Sequence, residues 1–235
     1  TGDVELTVRE DDDSINNART VKISETSDTN DVEVLSFELE ADGSDLTLTQ
    51  LIIDITASGA GVTEIANDFR LMLDGEEVGT LSYDLNQDNT GGDSSASSTD
   101  TAIALIFEDL DDDDVIVEAG DTATFTLEAD INDIDGAFSN GDLFSSVMLS
   151  AADVDAEDEN GDNVTDLTGS AEATNISFAA TGIMLSTGDA DSSSVLANVS
   201  DVSTDDQGKF VINFTVEAFD NPAYIAMTAT TTAAA

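Results

Sequence analysis

The sequence predicts an all-β protein made of two β-sandwich domains, of the jelly-roll or immunoglobulin-like kind. Apolar residues alternate with polar ones in short runs, which is typical of strands that bury one face. Segments rich in Gly, Asn, Asp and Ser separate these runs at short intervals, and little of the chain has the period of a helix. Such a series of short strands and turns indicates a sandwich. We expect a large domain at residues 1–179 and a small one at residues 180–235.

The stretch from Val32 to Ile55 is the clearest example of this pattern. Leu35, Phe37 and Leu39 alternate with polar residues, the turn residues 41–44 follow, and alternation resumes at Leu46. The apolar positions change parity near Gln50, which predicts a β-bulge or a corner. We therefore expect a hairpin whose apolar face is covered by other strands.

The rest of the large domain repeats this pattern. We expect strands or hairpins at Val4–Val8, Val21–Ser24, Phe69–Tyr83 with an Asp74-Gly75 turn, Ile103–Phe107, Val115–Ile131, Val147–Ala151 and Ala171–Phe178. Residues 64–68 are expected to form a helical turn, and residues 86–100 a long loop.

Beyond residue 180 the sequence predicts one small sheet. Four short strands are expected, at Ile183–Leu185, Val195–Val202, Phe210–Val216 and Tyr224–Thr228. These strands make only half of a sandwich. We therefore expect either that the natural chain continues or that a neighbouring molecule supplies the missing strand or face.

The charge is the strongest compositional signal. Five Lys and Arg residues face 52 Asp and Glu residues, so the formal net charge is −47. This balance excludes nucleic acid as a partner and disfavours an anionic membrane surface. Self-repulsion on this scale is relieved at about 1 M salt, where the Debye length is about 3 Å. The composition favours a protein that works in brine, or one whose carboxylates hold divalent cations. No apolar run is long enough to insert into a membrane.

Catalysis has little support in the sequence. Without His or Cys, the common nucleophile–base pairs cannot be built. A secreted hydrolase that uses two carboxylates stays as an alternative class, although 52 acidic residues single out no pair. We expect that the protein is not an enzyme.

Metal binding is the better chemical candidate, and calcium is the cation because it takes oxygen ligands. The acidic segment at residues 153–166 resembles a calcium-binding loop around Gly161, but Ala156 stands at the first ligand position and no bidentate Glu follows. Its candidate ligands are Asp153, Asp155, Glu157, Asp158, Asn160 and Asp162, and a second group is Asp109, Asp111 and Asp112. The alternative for both groups is a solvated acidic loop.

Four N-x-S/T sequons lie in the last third of the chain. They start at Asn163, Asn175, Asn198 and Asn213. Each is a candidate glycosylation site and predicts an exposed asparagine if it is used. Chance occurrence in a Ser/Thr-rich sequence is the alternative.

Three segments resemble the β-sandwich repeats of prokaryotic extracellular filament and cell-surface proteins. They are LSFELEADGSDLTLTQLIIDI with the following LMLDGEEVG, the hairpin VIVEAGDTATFTLEADI, and GKFVINFTVEAFDNPAYI. The resemblance implies an extracellular, structural or adhesive role and carries over no catalytic residue.

These observations lead to two functional expectations. The first is that the protein is a subunit of a pilus-like filament or surface layer in a salt-adapted prokaryote, a homopolymer joined by β-strand addition. Val4, Leu6 and Val8, or the C-terminal strands, would complete a neighbour. An edge strand of its own domain is the alternative for Val4–Val8. The alternative function is a monomeric adhesin or carbohydrate-binding module of a larger cell-surface protein, in which case glycans are partners.

Overall fold

A computed structural model describes residues 4–11, 14–84, 100–111, 115–134, 138–195 and 207–219, together with residues 222 and 224. The chain divides into two compact units, Thr1–Ala180 (unit 1) and Thr181–Ala235 (unit 2). The strands of unit 1 are β1 (Glu5–Glu10), β2 (Arg19–Lys22), β3 (Thr29–Asp42), β4 (Leu46–Ser58), β5 (Ala66–Leu73), β6 (Glu76–Val78), β7 (Thr80–Asp84), β8 (Ala102–Glu108), β9 (Ile116–Val117), β10 (Thr122–Ile131), β11 (Leu143–Asp158) and β12 (Asp166–Ala179). A 3₁₀ turn covers Ser14–Asn16 and a short helix, α1, covers Val62–Ile65.

Unit 1 is a β-sandwich, so the predicted all-β sandwich class is confirmed for this unit. One layer has the strand order β6-β5-β10-β3-β1, and the other has β2-β12-β11-β4-β8-β7, with β9 paired to β4. Strand β12 belongs to both layers. Its first residues pair in parallel with β1, its middle pairs with β11, and its last residues pair in parallel with β2.

The core lies between the two layers and is built from alternate residues of each strand. Phe37 on β3 and Phe125 on β10 stack with ring centroids 5.3 Å apart. Phe69 on β5 lies 6.3 Å from Phe144 on β11, and that ring meets Phe178 edge-on at 5.1 Å. Aromatic contacts of this kind add to the stabilisation from buried apolar area, and the contact between Phe69 and Phe144 connects the two layers.

The expected hairpin at residues 32–55 is wrong in its pairing, although both strands exist. β3 pairs with β1 and β10 in one layer, whereas β4 pairs with β11, β8 and β9 in the other. The turn at residues 43–45 therefore carries the chain across the core. The predicted bulge is confirmed, because the register of β11 against β4 shifts between Gln50 and Leu48.

The other expected hairpins are corrected for the same reason. The Asp74-Gly75 turn does join β5 to β6, with both residues at positive φ. The chain then changes layers at Gly79, so Val78 and Tyr83 lie on different strands. Residues 118–121 likewise take the chain from β9 in one layer to β10 in the other. The alternation of apolar and polar residues shows which face of a strand is buried. It does not show which layer the strand belongs to, because both layers bury an apolar face.

Asn16 holds the middle of β3, next to the point where its pairing with β1 stops. Its Oδ1 accepts a hydrogen bond from the Ser36 backbone N–H at 2.9 Å, and its Nδ2 donates to the Ser36 carbonyl at 2.7 Å. The side-chain amide thus replaces one peptide group of a neighbouring strand. Asn16 is 8% exposed, so water does not compete for these contacts.

Replacing Asn16 with alanine is expected to destabilise unit 1, because it leaves the N–H and C=O of Ser36 without partners. Each orphaned buried group costs about 1–3 kcal/mol. Urea unfolding of the full chain measures the loss. The exposed neighbour provides the control, since Asn17→Ala is expected to change the free energy of unfolding by less than about 0.5 kcal/mol. Equal effects of the two substitutions would contradict this role.

Unit 2 is described as a two-stranded antiparallel ribbon. β13 (Gly182–Val195) pairs with β14 (Gln207–Phe219), and the register shifts once, between Thr187 and Ala190. The short strand expected at Ile183–Leu185 is therefore the start of a longer one, and the strand expected at Phe210–Val216 lies within β14. Most of the strands expected at Val195–Val202 and Tyr224–Thr228 falls outside the described residues.

Candidate functional site

The proposed donor residues Val4, Leu6 and Val8 lie in the sandwich of their own chain. β1 pairs antiparallel with β3 on one side and parallel with β12 on the other. Leu6 and Val8 are buried in the core, and Val4 packs against it partly buried. β1 is therefore an interior strand and not the edge strand that the sequence left as an alternative.

A close backbone contact holds β1 against β12. Gly169 has a φ of 91° and lies opposite Val8 in the parallel register. A Cβ atom at this glycine would come within 2.0 Å of the Val8 carbonyl oxygen. Only glycine combines this backbone conformation with this approach.

The first part of the acidic segment at residues 153–166 is strand, which corrects the expected loop there. β11 continues to Asp158, so Asp155 and Glu157 alternate with the buried Val154 and Ala156. The true turn is short and spans residues 159–162. β12 then begins at Asp166.

The carboxylate of Asp158 organises this turn from within. Its Oδ1 accepts hydrogen bonds from the backbone N–H groups of Asn160 at 2.8 Å and Asp162 at 3.0 Å. Its Oδ2 accepts from Asn160 Nδ2 at 3.2 Å. The hydrogen bond from the Asp162 backbone N–H, followed by those from Asn160, lowers the pKa of Asp158.

The predicted calcium ligands are not assembled into a metal centre. Within the described part of the chain, no group of three or more acidic side chains has the geometry to hold a metal ion. A polar groove of about 310 Å³ does bring Asp158, Asp162 and Asp166 beside Val4. Asp153, Asp155 and Glu157 lie along β11, and Asn160 lies in the turn. Calcium stays a prediction.

The second acidic group lies after β8. Asp109, at a φ of 59°, and Asp111 are exposed on either side of Leu110, which is buried. Asp112 lies outside the described residues. The turn places the leucine in the core and leaves its acidic neighbours in solvent.

Three of the four sequon asparagines are described, and all three are exposed. Asn163 lies next to the turn before β12, and Asn213 lies on β14. Asn175 has a φ of 53° and, with Ser145 opposite it, is left out of the pairing of β12 with β11, whose register does not shift there. Asn198 lies outside the described residues. Exposure permits modification at these three sites.

The described part of unit 2 presents large apolar side chains to solvent. Ile183 is 58% exposed and Met184 is 39% exposed. Successive residues of a strand point to opposite faces, so the ribbon is apolar on both faces near the start of β13. β13 and β14 pair only with each other among the described strands. A two-stranded ribbon is marginally stable in water and needs a third strand or a packing partner.

One ion-pair cluster in unit 1 was missed by the sequence reasoning. Arg70 on β5 makes two hydrogen bonds to Asp130 on β10, at 2.6 and 3.1 Å, and further ion pairs with Asp31 and Asp68 at 2.8 and 3.0 Å. The bond to Asp130 raises the pKa of Arg70, and the same bond lowers the pKa of Asp130. The usable signal was rarity, because Arg70 is one of five basic residues.

In the described residues, no helix is long and apolar enough to cross a membrane.

Comparisons with known proteins give structural likeness only. No protein-family model matches the chain, and no curated protein matches it. A chain of the CaDoc0917–CaCohA2 complex is 12% identical, with 73% of this chain and 98% of that chain covered and a TM-score of 0.27. CaCohA2 from Clostridium acetobutylicum in solution is 11% identical, with 73% and 91% covered and a TM-score of 0.28.

A third similar chain comes from the Coh-OlpC–Doc435 complex, a type I cohesin–dockerin complex from Clostridium thermocellum. It is 9% identical, with 76% of this chain and 96% of that chain covered and a TM-score of 0.28. At these identities and TM-scores, the comparisons transfer no role to any residue. The sandwich architecture rests on the strand pairing described above.

Proposed function

We propose that the protein is a structural, non-catalytic subunit of an extracellular or cell-surface assembly, a filament or surface layer of a salt-adapted prokaryote, in which copies join by β-strand addition. The observation that carries this proposal is the β13–β14 ribbon. Its described strands of 14 and 13 residues pair only with each other. Strand edges of this kind are templates for pairing with another chain.

The ribbon, and not β1, is the contact element in this proposal. β1 is held between β3 and β12 of its own chain, with Leu6 and Val8 buried. The ribbon instead exposes Ile183 and Met184. Covering such side chains and adding a third strand both favour association.

Negative-stain electron microscopy of the full chain in brine tests the proposal. We expect regular filaments or sheets from the natural sequence, and discrete particles from the double variant Ile183→Asp, Met184→Asp. The matched control is Ile116→Asp, because Ile116 is a 49% exposed isoleucine of unit 1. This control should assemble normally. Discrete particles of the natural sequence at every salt concentration would overturn the proposal.

A second candidate is a partner-binding module of a larger cell-surface protein, such as an adhesin or carbohydrate-binding module. The observation that favours it is the self-contained core of unit 1, whose N-terminal strand lies in its own sandwich. The similar solved structures include a cohesin–dockerin complex, a pairing that belongs to those proteins. Under this candidate, the natural sequence stays monomeric in sedimentation velocity at high salt.

The net charge of −47 leads to a prediction about salt. Diluting NaCl from about 1 M to about 0.01 M lengthens the Debye length from about 3 to about 30 Å. The free energy of unfolding should fall on dilution, because repulsion among carboxylates is then unscreened. Thermal unfolding at several NaCl concentrations measures this fall.

Calcium is tested in the same series. If the acidic side chains are merely screened, CaCl₂ and NaCl at equal ionic strength should raise the unfolding temperature of the protein equally. A larger effect of CaCl₂ that is lost in Asp158→Asn would support a calcium site in the groove beside Val4. Asp74→Asn is the control, since it removes the same charge from an exposed position of unit 1 that belongs to neither group of calcium candidates.

A further inference from the structure

The open strand edges of unit 1 differ in charge. Among the described strands, β6 and β7 end the path of paired strands, and β2 and β9 each pair with a single neighbour. By their sequences, β6 (EEV) carries −2, β7 (TLSYD) carries −1, β9 (IV) is neutral, and β2 (RTVK) carries +2. In this described set, β2 is therefore the one edge with positive charge.

Charge decides which edge a second copy can approach. In brine the Debye length is about 3 Å, so only charges that meet at the contact act. A second copy has 52 Asp and Glu residues and five Lys and Arg residues, so it brings mainly carboxylates to the contact, which acidic edge strands repel and a basic one attracts. Charged side chains on an edge strand are a common protection against unwanted pairing. The negative charges of β6 and β7 protect these strands from pairing with a second copy. β2 carries positive charge and lacks this protection. Complementary charge also steers association and fixes register.

The backbone of β2 is oriented for pairing on its outer side. β2 runs parallel to β12, and the N–H of Ile23, just after β2, donates to the Ala179 carbonyl at 3.1 Å. Backbone groups alternate in direction along a strand. The N–H and C=O of Thr20 therefore point away from β12, toward the edge.

Arg19 adds a second feature to this edge. It lies on the same side of β2 as Val21, and its Nη2 donates to the Glu33 carbonyl on β3 of the opposite layer. Its Nη1 is buried and makes no hydrogen bond within the described structure. Burial lowers the pKa of Arg19, and the charge of Glu33 opposes that shift. The Arg19 guanidinium thus connects β2 to β3 of the opposite layer. It also keeps a positive charge next to the edge strand β2.

We propose that the outer edge of β2 is the acceptor for the β13–β14 ribbon of a second copy, which adds to it as a strand. This inference rests on the proposed function and specifies its acceptor. The ribbon brings the unpaired backbone edge, and β2 brings outward backbone groups and the positive charge that an acidic chain requires. Each copy carries both elements, so the contact is heterologous and repeats from copy to copy into a filament.

Charge reversal on β2 tests the inference. Lys22 is exposed, and Lys22→Glu should raise the protein concentration needed for assembly by more than about tenfold, because it places like charges at the contact. Lys22→Gln should have a smaller effect. The control is Arg9→Glu, which makes the same change in net charge on the interior strand β1, where Arg9 is 55% exposed. Thermal unfolding of each full-length variant shows that it is folded.

Cross-linking locates the contact directly, because the chain has no Cys. Single-cysteine chains Lys22→Cys and Thr215→Cys, mixed in brine and treated with a short bis-maleimide, should give a mixed dimer. Ile116→Cys mixed with Thr215→Cys is the control and should give little. Thr215 is an exposed residue of β14.

The outcomes separate this inference from the proposed function. Failure of the natural sequence to assemble overturns both. Normal assembly of Lys22→Glu, or equal cross-linking of Thr215→Cys to positions 22 and 116, overturns the β2 acceptor and leaves the assembly standing. Loss of assembly in Lys22→Glu but not in Arg9→Glu, with the 22–215 cross-link, supports it.

Discussion

Replacing Arg70 with methionine is expected to lower the free energy of unfolding by about 3 kcal/mol, within the range for breaking a buried ion pair on one side. Arg70 and Asp130 are each 17% exposed, and Asp130 would be left close to Asp31 and Asp68 without a cation. Lysine should restore only part of the loss, since an ammonium group cannot make the two parallel hydrogen bonds that the guanidinium makes.

Arg9→Met is the matched control for this substitution. Arg9 pairs with Glu40, but the two side chains are 55% and 33% exposed. An exposed pair contributes about 0–1 kcal/mol, so the control should unfold nearly as the natural sequence does. Urea unfolding in brine compares the two. A larger loss for Arg9→Met than for Arg70→Met would contradict the structural role of the cluster.

The stability of the natural sequence and the stability of Arg70→Met should change in opposite directions as the pH falls. In the natural sequence the Arg70 hydrogen bond lowers the pKa of Asp130. The contribution of this group to stability is therefore complete above the unfolded pKa of about 3.9 and is lost as the pH falls through the folded value. In Arg70→Met the repelled carboxylates should gain stability on protonation. The gap between the two proteins should narrow as the pH falls below about 4.

Gly169→Ala is expected to have the second large effect, because it acts on β1. The added Cβ would lie 2.0 Å from the Val8 carbonyl oxygen, and the φ of 91° is unfavourable for alanine. The conformational cost alone is about 1–2 kcal/mol. The steric clash must also move the backbone of β1, which exposes Leu6 and Val8 to water. Hydrogen exchange of the amides of residues 6–8 should become much faster.

Gly75→Ala separates the two causes. Gly75 has a similar φ of 82°, but no atom lies within 4 Å of the position that an added Cβ would take. This control should show the conformational cost without the clash, and residues 6–8 should stay protected. Equal protection of β1 in both variants would mean that Gly169 does not hold this strand.

The sequence predicts the strands of this protein better than their partners. Alternation in Leu35–Leu39 and Leu46–Ile55 locates β3 and β4 and even the bulge near Gln50, because a strand that faces a core must alternate. It says nothing about pairing. The two layers of a sandwich bury equivalent faces, so a turn within one layer and a crossing between layers leave the same apolar pattern.

The site residues show the same limit. Acidic composition at residues 153–162 suggests a loop, but Val154 and Ala156 alternate with the acidic residues and extend β11 as far as Asp158. Asp68 is a neighbour of Arg70 on β5, but Asp31 and Asp130 come from β3 and β10, which are distant in sequence, so no local motif predicts the cluster. Asn16 is similar, since its role depends on Ser36 lying beside it after folding.

The parallel pairing of β1 with β12 has a mechanical consequence. Tension that enters unit 1 ahead of β1 and leaves it after β12 pulls these neighbouring strands in opposite directions along their common axis. The register pairs from Glu5–Asp166 to Val8–Gly169 then resist together in shear, and do not open one after another as in a hairpin pulled from its ends. Unit 1 pulled in this way would extend little before it yields.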